Sequence, residues 1–236
     1  MKESISYRGF VCKMAAGFLI VSTSLCIIGC SDKKSDKKKK AHSKKVDEVM
    51  DDIDGIGSSK LSSKNICNAA KKYGAEETDK DTLYVLLTRL PTDQAVYYSS
   101  KNEDEALEIF NDVINHMGEY DEYDVSEVTV VYVGERTEDD VKDLFEIYYI
   151  GFDQQEEADA FCEEAFSRII GDDGNENGIK YRIYTYDSKY SNAKNAVGVY
   201  QSGKGVMTFR IMSNSGDPEF VKLMSDKLGI VNPFDD

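Results

Sequence analysis

Histidine is scarce in this chain, with two residues in 236, and cysteine is little commoner at five. His42 sits in a Lys-rich stretch and His116 stands alone, so no zinc ligand set can be assembled from spacing. No Ser or Cys lies in a recognisable nucleophile setting. The glycines at 55, 57, 198, 203 and 205 lack the strand–helix frame and the Lys-Ser/Thr of a phosphate loop. Carboxylates are the reverse case: they are so abundant that chance spacing pairs them everywhere, and none stands out as acid or base. A non-catalytic protein is expected. The enzymatic alternative, an extracellular hydrolase, requires carboxylates or His116 to converge on a pocket. A spanning helix is also missing, because the longest uncharged apolar run is the 15 residues Met14–Ile28. A helix crossing the hydrocarbon core needs about 20.

That short run has a meaning of its own. It follows a positive start, Lys2, Arg8 and Lys13 against Glu3, and ends at Gly29-Cys30 before an abrupt polar stretch. A basic beginning, an apolar middle and a small residue before the cut describe a secretory signal peptide. Ile27-Ile28-Gly29-Cys30 resembles the lipobox of bacterial lipoproteins. The resemblance implies cleavage between Gly29 and Cys30 and a diacylglycerol thioether on Cys30, because only the thiol supplies the sulfur. The competing reading is an uncleaved hydrophobic anchor in which Cys30 is incidental. The resemblance covers residues 1–30 and puts the remainder outside the cytoplasm, held to the membrane by lipid. In general character the soluble part resembles small lipoproteins of Gram-positive anaerobes, with no motif behind that likeness.

Residues 31–45 carry eight Lys and two Asp and have nothing to bury. Such a segment cannot offset its ordering entropy and reads as a solvated tether, extended by like charge. Its reach is roughly 50 Å at about 3.3 Å per residue. It serves as a spacer, or adds attraction to anionic lipid or wall polymer.

Basic charge is outnumbered in the part that follows. Residues 46–236 hold 18 Lys and Arg against 41 Asp and Glu, a net of −23. A domain this acidic repels phosphate backbones, so nucleic acid is excluded as a partner, whereas cations or a basic peptide or protein are favoured. The plainer reading is an acidic surface that keeps the protein soluble. The asymmetry continues within the domain: residues 46–176 sum to −25 and residues 180–227 to +4.

Hydrophobic periodicity divides the mature chain into a helical segment, residues 46–92, and an α+β domain, residues 93–236. Helices are expected at 46–53, at 63–73 with Ser62 or Ser63 as cap and Gly74 as stop, and before Pro91, where a strand reading of 82–88 is nearly as good. Strands are expected at 95–98, 128–133, 145–150 and 179–186, with a hairpin of 196–200 and 206–211. Helices at 103–117, opened by Asn102, at 156–170, capped by Asp153, and at 217–228 complete the pattern. Residues 96–110 and 147–161 align without gaps, matching Tyr97, Tyr98, Glu105 and Phe110 with Tyr148, Tyr149, Glu156 and Phe161. The order β-α-β-β-α-β over 94–187 predicts a ferredoxin-like antiparallel sheet with helices on one face. The final hairpin and helix would extend or cap it.

The best local motif is Asp172 to Gly178. Counted from Asp173, oxygen ligands fall at positions 1, 3 and 5 (Asp173, Asn175, Asn177), with Gly178 at 6. That resembles the opening half of an EF-hand calcium loop. Position 12 is Tyr184 where a bidentate Glu is expected, so a calcium-dependent binding protein is the alternative to a plain helix-to-strand turn. Tyr97, Tyr98, Tyr148, Tyr149, Tyr184 and Tyr186 fall on strands. They serve the core and sheet, or present an aromatic row to a peptide or glycan. Cys67 and Cys162 remain after the leader goes, free to pair in an oxidising compartment or to stay as thiols.

Overall fold

The computed structural model describes residues 61–88, 93–115, 120, 122–136, 141–188, 193–214 and 218–235. The leader, Cys30, the tether, the 46–53 helix and His116 lie outside these residues. Helix α1 spans Ser63–Tyr73. Ser62 caps it, accepting from the Asn65 amide at 3.3 Å, and Gly74 ends it in the left-handed region at φ 108°. A two-residue strand β1, Glu76–Glu77, precedes helix α2, Lys80–Thr88. Strand β2 is Gln94–Ser100. Helix α3 starts at Glu103 under the Asn102 cap and widens at Phe110 into a π-helical turn that runs to Asn115. Strands β3, Val125–Arg136, and β4, Val141–Phe152, follow, and then helix α4, Gln155–Ser167. The N-cap of α4 is Gln154, without a side-chain bond, and not the expected Asp153. Strands β5 (Asp172–Glu176), β6 (Ile179–Asp187), β7 (Lys194–Ser202) and β8 (Gly205–Ser213) lead to the last helix, α5, Glu219–Leu228, closed by Gly229.

The α+β class holds, but the strand order does not follow the ferredoxin-like expectation. All eight strands form one mixed sheet in the order β1-β2-β3-β4-β8-β7-β6-β5. Only β1 and β2 run parallel. A ferredoxin-like sheet would seat the first strand, β2, beside the third, β4. Here β2 pairs antiparallel with β3, so the connection through α3 re-enters the sheet beside the strand it has just left, at the end where that strand stopped. The place beside β4 is taken by β8, whose nine aligned positions put the C-terminal hairpin inside the sheet and not at its rim.

Nor are the helices confined to one face. Alternate residues of β4 divide cleanly: Leu144, Tyr148, Ile150 and Phe152 join a core with α2, α3 and α4, while Phe145, Ile147 and Tyr149 join a second core with α1 and α5. A strand buried on both sides reads as a continuous apolar run, which explains Phe145–Ile150 without invoking a solvent face. Phe161 and Phe110 anchor the first core; Phe220, Ile66 and Leu228 anchor the second.

The internal similarity also changes meaning. Tyr97 faces the α1/α5 core, whereas its aligned partner Tyr148 faces the α2–α4 core. Measured from strand end to helix start, β2–α3 and β4–α4 correspond at an offset of 52, not 51. A shift of one residue exchanges the faces of a strand. The two units share an order of elements, but the matched tyrosines are not structural equivalents.

Candidate functional site

The Asp172–Gly178 motif folds as a hairpin. Asp172–Glu176 is strand β5, paired with β6 from Asp172 opposite Ile183 to Glu176 opposite Ile179. Asn177 at φ 55° and Gly178 at φ 78° form the two-residue turn, the left-handed pair that such hairpins favour. On an extended strand Asp173 and Asn175 stand roughly 7 Å apart along the chain. Asp173 gives both carboxylate oxygens to Arg182, accepting from Nε and, at 2.7 Å, from Nη2. That pairing holds its carboxyl below the usual range. Among the described residues no group of three His, Cys, Asp or Glu side chains could hold a metal ion.

Arg182 belongs to a larger arrangement. Lys180, Arg182, Tyr184 and Tyr186 lie on one face of β6, the side on which α4 packs. The last turns of α4 reach over the first two. Arg182 Nη1 donates to the Phe166 carbonyl at 2.7 Å, Lys180 is ion-paired with Glu163, and both cations lie over the Phe166 ring at 5.0 and 4.9 Å. Between α4, β5 and β6 opens a cleft of about 290 Å³, lined by Glu163, Phe166, Asp173, Gly174, Lys180, Tyr181 and Arg182.

Past this cleft α4 has ended and the sheet loses its cover. The chain crosses toward β5 at Gly171, where a Cβ would come within 2.1 Å of the Ile183 carbonyl oxygen. Beyond that crossing the rings of Tyr184 and Tyr186 stack at 5.4 Å with 20° between planes, and Tyr186 is 43% exposed. The floor continues sideways through half-buried Val197 to exposed Arg210, its cross-strand neighbour on β8. Tyr97, Tyr148 and Tyr149, by contrast, are buried in the two cores. Tyr98 is half-buried against the α2–α4 core, so of the six tyrosines expected on strands the open end of β6 keeps half-buried Tyr184 and exposed Tyr186.

One further polar pair lies at the inner margin of this floor. Glu146, opposite Arg210 across β4 and β8, is buried, with the guanidinium at 3.7 Å. Burial pushes its carboxyl up and Arg210 offsets part of that. Two residues along, the Tyr148 hydroxyl is buried without a hydrogen-bond partner. Burial, with Glu146 nearby, raises it well above the phenol range.

The cysteines stand apart from this site and from each other. Cys67 on α1 and Cys162 on α4 are free thiols on opposite sides of the sheet. Cys67 is half-buried beside Ser63, Ser99 and Thr129, whose hydroxyls bond one another at 2.6–3.0 Å. Burial raises its thiol and these hydroxyls lower it in part.

Sequence reasoning found Asp173 and the two tyrosines but missed Lys180, Arg182, Glu163 and Phe166. The signal was present: even-numbered residues of β6 are long polar or aromatic side chains while Ile179, Tyr181 and Ile183 face the other core.

No family model matches the chain, and no curated protein matches it. Among solved structures, the extracellular domain of PknH from Mycobacterium tuberculosis is similar over 71% of this chain and 94% of that one, at 6% identity and a TM-score of 0.34. At that score the likeness fixes neither fold nor function.

Proposed function

We propose that this protein is a non-catalytic binding module, exported and held to a membrane by lipid on Cys30, which presents the open end of strand β6 to its ligand. The observation that carries the reading is the contrast in cover. Helices bury both faces of the central strands, yet the Tyr184–Tyr186 end of β6 lies beyond α4, with Tyr186 exposed and Tyr184 half-buried. Rigid aromatic side chains on a strand offer large contact area at small entropic cost. The charged groups of the adjoining cleft are engaged with one another, Lys180 with Glu163 and Arg182 with Asp173, which favours recognition over acid–base chemistry. The anchor is supported by the leader and by Ile27-Ile28-Gly29-Cys30; the Lys-rich tether gives the module reach. No described helix is long and apolar enough to cross a membrane.

Two measurements test the two halves. Cys30→Ser expressed in a lipoprotein-processing bacterium should abolish labelling by radioactive palmitate and move the protein out of the membrane fraction. Continued membrane fractionation at unchanged mass refutes the anchor. For the surface, spin-label or cross-linking probes at Tyr186 should be displaced on ligand binding, and a ligand that protects only the α1/α5 side refutes the site.

A further inference from the structure

We infer that the ligand of the β6 surface is a neutral saccharide chain, seated with one unit in the α4–β5–β6 cleft and the next against Tyr184 and Tyr186. This rests on the binding-module reading above and names the ligand class for the same site.

Charge is the first reason. Four charged side chains line the cleft, and they cancel in pairs: Lys180 with Glu163, Arg182 with Asp173. A charged ligand therefore meets no net opposite charge in the cleft, and exchanging one exposed ion pair for another gains little. A polyanion would also meet the strongly acidic remainder of the domain. A polyol needs no such exchange. Arg182 keeps donor capacity after bonding Asp173 and the Phe166 carbonyl, Lys180 has three donors, and each carboxylate has lone pairs to spare. Donors and acceptors side by side on planar groups match hydroxyls that both donate and accept.

Shape and stiffness are the second. The volume, about 290 Å³, lies at the lower end of small-ligand sites and suits one sugar ring. Past the cleft, beyond the crossing at Gly171, the next side chains on that face of β6 are Tyr184 and Tyr186, roughly 7 and 14 Å along the strand from Arg182. Their rings give an apolar platform with a polar rim, as the C–H face and hydroxyl edge of a pyranose require. Each polar group is fixed by a partner before any ligand arrives, which lowers the entropy lost on binding. A peptide added to the sheet is less well served: β5 already pairs β6 up to Ile183, leaving a free edge of only four residues, Tyr184–Asp187.

The test is calorimetric titration of the full lipidated chain in detergent with cellohexaose, xylohexaose, chitohexaose, oligogalacturonate and a pooled tetrapeptide mixture. At least one neutral hexasaccharide should bind, with affinity unchanged from low to high salt. Tyr184→Ala and Tyr186→Ala should each weaken that binding about tenfold. Tyr186→Ala should melt like the parent chain, because that ring is exposed, while Tyr184→Ala, at a half-buried ring, should melt slightly lower. Arg182→Lys should weaken binding too, since an ammonium cannot replace the planar fork. Failure of every neutral saccharide at millimolar concentration overturns the inference. So does binding confined to oligogalacturonate and lost in high salt. Peptide binding abolished by Tyr184→Ala would overturn the saccharide while leaving the binding surface in place; saccharide binding indifferent to both tyrosines would overturn the surface itself.

Discussion

Truncating Phe161 should cost more than an ordinary core deletion, and the reason is the company it keeps. Its ring is fully buried in α4 and meets Tyr120, Tyr123, Phe152 and Phe110 at centroid distances of 4.7, 5.4, 5.5 and 5.9 Å. A buried Phe→Ala change costs about 3–5 kcal/mol, and each well-placed aromatic pair adds about 0.5–1.5 kcal/mol beyond area. Four such pairs place Phe161→Ala at the upper end, about 4–5 kcal/mol. For a domain of this size that corresponds to a melting point lower by about 10–15 °C. Urea unfolding followed by far-ultraviolet circular dichroism measures the first quantity and calorimetry the second. Phe220, 1% exposed against Tyr73 and Phe145 on the other face, provides the control. Because the sheet separates the two cores, the milder changes Phe161→Leu and Phe220→Leu should add within about 0.5 kcal/mol when combined. A loss below about 2 kcal/mol for Phe161→Ala, or strong coupling between the two leucine variants, would refute the three-layer packing from which these figures follow.

Two further outcomes follow from buried titratable groups. Burial holds the Glu146 carboxyl above its ordinary 4.5, so the folded chain keeps a proton that the unfolded chain has released. The stability this supplies is complete below the unfolded value and is lost as pH rises through the folded one. Glu146→Gln should flatten that decline in urea titrations at successive pH, and an unchanged slope would show that Arg210 already stabilises the anion fully. Burial pushes the Cys162 thiol up to about 12, while Cys67 is half-exposed. A thiol reagent at neutral pH should label Cys67 in the native protein and Cys162 only on unfolding, and a Cys67–Cys162 disulfide found by mass spectrometry would contradict their placement on opposite faces.

Local chemistry was legible wherever a single element decides its own form. Ser62 and Asn102 cap as their positions suggest, and Gly74 and Gly229 end helices in the left-handed region. Strand β5 was not legible, because DDGNE has no intrinsic strand preference. It is a strand through pairing to β6 and the clamp of Arg182 on Asp173, at a sheet edge where charged residues are tolerated. Strand order was hidden for a different reason. Local order of elements cannot say which strand occupies the free side of β4, and residues 205–213 win it with a full-length partner of alternating apolar side chains. The face of each tyrosine turned on a one-residue offset, which an ungapped alignment cannot detect.

The unequal charge of the chain takes on a structural sense once the pairs are placed. Residues 180–227 hold most of the domain's spare basic charge, and three of these cations meet carboxylates from the acidic part: Lys180 with Glu163, Arg182 with Asp173, Arg210 with Glu146. Each exposed pair contributes little to stability. Together they discriminate among ways of docking β6–β8, since a hairpin seated one residue out of register would face these cations toward the α1/α5 core and strand them in apolar surroundings. Three cations of the positive segment thus serve in assembling the sheet around this face. That is why the open end of β6 is aromatic and close to electrically neutral in a strongly acidic protein, and why its partner is sought among uncharged ligands.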